Sequence, residues 1–187
     1  MLFRSKRLLE GGLAVPGTPL ASRDRFRIVQ RLLLRGDPQA PTLLAAQAAA
    51  DRSDDGRRYA YAAAAGVADA PSKRALFRAF LEDAALPESW SEAALAPLNA
   101  PEHAALTRPL LAEALARLPE LKRTRKIFFV NGWLAAFIGG QTGSEALAEV
   151  GSFLRRGDLD PDLRLKLLET ADGLERAVRI RARFAGE

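Results

Sequence analysis

One histidine, His103, and no cysteine occur among 187 residues. Together they remove most covalent and metal chemistry at once. Without thiols there are no disulfides, thiolate zinc sites or cysteine nucleophiles. A self-contained zinc protease site draws two histidines onto one metal, which a single imidazole cannot supply. A Ser-His-Asp triad remains arithmetically open only through His103, in Pro101-Glu-His-Ala-Ala-Leu106. That segment reads as the first turn of a helix with His103 on its exposed face, an unfavourable place for a general base. Carboxylate pairs such as Glu169 and Asp172 suit acid–base work, but Lys166 and Arg176 lie within one helical turn and favour ion pairing.

The densest positive charge is Lys122-Arg123-Thr124-Arg125-Lys126. Lys122, Arg123, Arg125 and Lys126 are the candidate ligand-binding residues, because a cationic surface can meet a peptide carboxylate. Phe128, Phe129 and Trp133 follow on what the pattern makes the core side, so aromatic rings are not interleaved with the cations as a nucleic-acid surface would have them. The formal net charge is +5, but Arg is spread along the chain, and 23 Arg against 5 Lys together with 36 Ala suits a compositional bias of the coding DNA. Neither nucleic acid nor membrane is expected as a partner. The two Arg-Gly-Asp triplets, Arg35–Asp37 and Arg156–Asp158, each fall at a helix end, where a last-turn cation, a C-cap glycine and a turn-forming Asp have local reasons to occur.

Helices must position all of these groups, since helix punctuation is frequent and strand punctuation nearly missing. Ser22 is the expected N-cap of a helix carrying Phe26, Val29 and Leu33 and ending at Gly36. Further helices follow over about 41–51 and 54–67. Ser72 is expected to cap one with Leu76, Phe77, Phe80 and Leu81 on a single stripe. A short element with Trp90 and Leu95 closes at Pro97, and Thr107 opens another carrying Leu111, Leu115 and Leu118. The apolar stretch from Ile127 to Gly140 is too short for the ~18–20 residues of a membrane span and reads as a buried helix. Thr142-Gly143-Ser144-Glu145 has capping-box spacing. A final helix runs from about Pro161 to Arg183, with acid-before-base pairs including Glu175/Arg179. The fold class is all-α, an α-α superhelix or HEAT-like stack of about nine to ten short antiparallel helices. Residues 1–20 form an irregular lead-in and 21–187 one helical domain. Met1–Glu10 lacks the apolar core of a secretory signal, so a cytoplasmic setting is expected.

Four segments resemble the C-terminal helical domain of bacterial M1-family zinc aminopeptidases, the aminopeptidase N group. They are Lys122–Val130, Trp133–Ile138 with Gln141, Leu159–Arg164 and Asp172–Arg181. Pro16–Pro19, Ser22–Phe26, Asp54–Arg58 and Trp90 extend the likeness upstream. The resemblance implies a HEAT-like bowl closing over a thermolysin-like catalytic domain, with zinc on that domain and no cofactor on this chain. It also implies a fragment of a longer polypeptide, because the family's HExxH helix and GxMEN segment have no counterpart here. The partners it implies are the catalytic and upstream domains of the same polypeptide and a peptide substrate. The alternatives are a free-standing HEAT-like adaptor for protein partners and a basic HEAT-like nucleic-acid module.

Overall fold

A computed structural model of the chain describes residues 2–9, 11–13 and 16–184. Among them the regular structure is helical: α1 Leu2–Leu9, α2 Ser22–Leu34, α3 Ala40–Ala50, α4 Asp54–Ala64, α5 Ala70–Glu82, α6 Glu88–Leu98, α7 Ala104–Thr107, α8 Leu111–Ala116, α9 Leu118–Thr124, α10 Ile127–Phe137, α11 Ser144–Leu154 and α12 Pro161–Phe184. The all-α reading holds. More segments form than the nine or ten expected, for two reasons. Pro101, Pro109 and Pro119 each sit at the first turn of a new piece and cut the stretch from 101 to 124 into α7, α8, α9 and two 3₁₀ turns. And α1 forms inside the lead-in expected to be irregular, where Lys6 ties it down by pairing with Asp37 at 2.7 Å and donating to Gln39 at 2.8 Å.

Among the described helices one row of contacts runs α2 on α4, α4 on α6, α6 on α10 and α10 on α12, with α3 against α2 and α4, α5 against α6, and α11 against α12. Neighbours α2, α4 and α6 of this row share a direction, since the carbonyls at their C-terminal ends converge on Lys73 and His103. The principal core lies around Trp133, whose ring contacts Phe77, Phe129 and Phe137 at centroid separations of 5.7, 5.8 and 4.3 Å. Its indole N–H donates to the Ala114 carbonyl at 3.0 Å, so the largest buried side chain leaves no polar atom unmet. A second cluster of Val29, Leu32, Leu33 and Ala40 lies under α1, with Leu9 against it.

Several caps differ from expectation, each for a local reason. Asp69, rather than Ser72, caps α5: its carboxylate accepts from the Ser72 amide at 2.8 Å, and Pro71 then falls in the first turn where proline is tolerated. Ser22 is the first helical residue and its hydroxyl donates sideways to Asp51, tying the start of α2 to the end of α3. The Thr142–Glu145 box does not close, because α11 begins one residue later with Gly143 at its N-cap and no side-chain cap. Gly36 does adopt the left-handed turn at the end of α2, with φ +64°. No described helix is long and apolar enough to cross a membrane.

Candidate functional site

The four candidate cations leave α9 and enter α10, and the structure divides them in two. Lys122 is held by acids from the start of α12: its ammonium donates to Asp160 and lies 3.1 Å from Asp162. The Asp160 hydrogen bond, first among the causes, raises the Lys122 pKa, and the same contacts hold both carboxyls below their usual range. Arg125 turns inward, donating to the Phe80 carbonyl at 3.1 Å, lying 3.7 Å from Glu88 and stacking 5.3 Å over the Phe129 ring. Both are structural ties between elements. Arg123 and Lys126 are exposed and enter no ion pair among the described residues.

Lys122 and Arg123 line a shallow cavity of about 340 Å³ with Pro119, Asp158, Asp160 and Leu163. The carboxylates at its rim were the part that sequence reasoning missed. Their signal was present: Asp160-Pro161 places a capping carboxylate before a first-turn proline, and Asp160 does accept from the Leu163 amide at 3.0 Å. The cavity thus offers one unopposed guanidinium among acids, an arrangement suited to reversible polar contact and not to a strong anion trap.

Along α10 the aromatics also divide. Phe129 and Trp133 are buried as expected, but Phe128 is 76 % exposed. It begins an uncharged stripe that runs along α10 through Gly132 and Ala135 to Gly139 just past its end; beyond Phe128 this stripe borders a largely apolar groove of about 280 Å³, lined on the α6 side by Leu95 and Ala96 and also by Glu92 and Asn99. The reason for the misplacement is register. Consecutive residues on a helix are 100° apart, so Phe128 and Phe129 cannot both face the core once Trp133 and Phe137 fix its direction.

His103 is buried, contrary to the exposed position expected, at 6 % exposure in the 3₁₀ turn Pro101–His103. Its Nε2 bonds the Leu34 carbonyl at 3.1 Å, and Nδ1 is buried without a partner. Because a carbonyl only accepts, Nε2 carries a proton, and with no acceptor at the buried Nδ1 the arrangement suits the neutral ring. Burial, then the nearby Lys73 charge, lowers its pKa. Sequence reasoning did not single out Lys73, which is 1 % exposed in α5 and donates to the carbonyls of Leu98 at 2.6 Å and Ala65 at 3.4 Å. No described grouping of three His, Cys, Asp or Glu side chains has the arrangement of a metal site. The Arg-Gly-Asp triplets are engaged within the fold: Asp37 pairs with Lys6 of α1 at 2.7 Å, and Arg156 folds onto Asp158 at 2.9 Å.

No protein-family model matches the chain, and no curated protein matches it either.

Proposed function

We propose that this chain is a non-catalytic helical wall of an M1-family zinc aminopeptidase, a HEAT-like stack enclosing the peptide chamber while a separate catalytic domain removes N-terminal residues. The observation supporting the reading is that segments carrying the resemblance, far apart in sequence, meet in space. Lys122 of the first segment joins Asp160 and Asp162 of the third. Trp133 and Phe137 of the second form the core that α12 helps to close, and Gln141 donates to Thr107 in the middle of the chain at 3.1 Å. The row of helix contacts from α2 through α4, α6 and α10 to α12 is compatible with a superhelical stack.

In this reading zinc belongs to the catalytic domain, the setting is cytoplasmic, and Arg123 and Lys126 are the cations left to meet the distal end of a bound peptide. Lys122 and Arg125 hold the wall together. The test has two arms. Coding DNA upstream of Met1 is expected to contain an HExxH segment in the same frame, and its absence overturns the fragment reading. Purified chain with Zn²⁺ is expected to leave aminoacyl-anilides intact; metal-dependent turnover by this chain alone overturns the non-catalytic assignment.

The exposed, uncharged stripe from Phe128 to Gly139 gives the adaptor reading its own support, since an apolar groove on a helical stack is a surface for a protein partner. The two readings separate by experiment. A chain that is monomeric and stable in isolation, with no in-frame upstream peptidase segment, favours the adaptor.

A further inference from the structure

Three helices of one row end at the same place, and two basic side chains serve all three. The last carbonyls of a helix have no partner within it and carry the negative end of its dipole. Lys73 donates to Ala65 at the end of α4 and to Leu98 at the end of α6, and His103 donates to Leu34 at the end of α2. Among the described residues no carboxylate pairs with Lys73, and the helix ends themselves act as its counter-charge.

We infer that Lys73 and His103 form a clamp across the C-terminal ends of α2, α4 and α6, and that mild acid releases it from the His103 side. The geometry sets the direction. Neutral His103 satisfies the Leu34 carbonyl and leaves Nδ1 buried without a partner. Protonation at Nδ1 adds a second positive charge beside Lys73, in a space where burial already disfavours the charge that is there. Two contacts favour the charged ring, the hydrogen bond to the Leu34 carbonyl and then the Glu102 carboxylate, which is on the surface and paired with Arg31 of α2 at 3.4 Å; burial and the Lys73 charge outweigh them. At the end of α6, Asn99 gives its Nδ2 to the Leu95 carbonyl at 3.1 Å and holds a buried Oδ1 without a partner; Thr107 sits one turn on, its hydroxyl 3.5 Å from the His103 carbonyl.

The sign follows from linkage. A base whose folded pKa lies below its unfolded value binds fewer protons in the fold, so stability drops as pH falls through 6.5 and levels off below the folded pKa. The loss is felt first where the clamp holds, at residues 31–36 and 98–104. The rest of the core, built around Trp133, contains no group that titrates in this range.

Since His103 is the only histidine, its imidazole signals in an NMR titration of the full chain need no assignment by mutation. The expected result is the Nε2–H tautomer at neutral pH and a midpoint below 6.5, with amides of 31–36 and 98–104 losing hydrogen-exchange protection at pH 5, after correction for intrinsic rates, while α10 keeps its own. His103→Gln retains an N–H donor for Leu34 and is expected to abolish the difference. Should that variant fail to fold, Lys73→Met serves instead, and is expected to raise the His103 midpoint. A midpoint at or above 6.5, or equal acid opening in wild type and His103→Gln, overturns the clamp. None of this depends on the peptidase reading.

Discussion

Lys73→Met removes a buried ammonium while keeping an unbranched side chain of similar length, and it isolates what the cation does. In the wild type two helix-terminal carbonyls accept from Nζ, at 2.6 and 3.4 Å. Methionine leaves both unmet, at ~1–3 kcal/mol for each buried acceptor. Against this stands the desolvation of the charge, which pushes the Lys73 pKa down from 10.5 to about 8. That shift amounts to a penalty of ~3 kcal/mol carried by the folded wild type below pH 8, which methionine does not carry. At pH 7 the two effects oppose each other and nearly cancel: ~2–6 kcal/mol for two unmet acceptors less the ~3 kcal/mol penalty leaves the variant between ~1 kcal/mol more stable and ~3 kcal/mol less stable than wild type. As pH rises from 8 towards 10.5 the folded lysine loses its proton before the unfolded one does, and the wild type alone gains. The gap between the two proteins should therefore widen by ~2–3 kcal/mol between pH 7 and pH 10. Urea unfolding of both at the two pH values measures it, and because groups such as Tyr61 titrate in both proteins their contributions cancel. A gap that stays constant or narrows refutes the reasoning, as does a variant more stable than wild type at both pH values.

Trp133→Phe removes the indole donor to Ala114 and leaves a partial void among Phe77, Phe129 and Phe137; a loss of ~2–4 kcal/mol is expected, read as a lower urea midpoint with unchanged slope. Gly140→Ala forces a methyl group against the Asn99 and Ala136 carbonyls at the α6–α10 contact, an overpacking expected to cost ~1–3 kcal/mol, whereas Gly132→Ala, whose nearest neighbour is the flexible Leu95 tip at 3.4 Å, should be close to neutral in the same assay. Phe128→Ser is expected to leave the unfolding midpoint within about 0.5 kcal/mol of wild type and to lower binding of a hydrophobic dye, since the ring is 76 % exposed. Lys122→Ala should loosen the joint between α9 and α12 more at low salt than at high salt, and its effect should fade as acid protonates Asp160 and Asp162, whose depressed pKa values place that loss below the usual carboxylate range.

Helix existence was legible because it rests on periodicity and punctuation, both local. Leu111, Leu115 and Leu118 announced an inward face and are buried; Gly36 announced a stop and takes positive φ. Helix starts were less legible, because several polar residues near each start compete for one capping role and only the register of the first turn decides between them. Asp69 and Ser72 illustrate this: either could cap by composition, and Pro71 fixes the answer. The candidate site was half legible. Four adjacent cations were visible, but which of them find acids depends on α12 folding back beside α9, a contact 38 residues distant in sequence for Lys122 and Asp160. Lys73 and His103 were invisible as a pair for the same reason. Each serves carbonyls of helix ends, and a backbone carbonyl has no residue type to mark it.

The shared direction of α2, α4 and α6 has an electrical consequence for the whole row. In an antiparallel bundle neighbouring dipoles cancel; here those of adjacent helices in one row add, so the row is polarised like a plate with a negative and a positive edge. Side-chain charge follows that polarity on both sides. Lys73 stands at the negative edge, and the first turns that open onto the other carry Asp24 in α2, Asp54 and Asp55 in α4, and Glu88 in α6. Reversing one of these acids should weaken the first turn of its own helix most, because the interaction of a charge with a helix end falls off within that turn, and at Asp54, Asp55 and Glu88 it also breaks a pair with Arg57, Arg58 and Arg125.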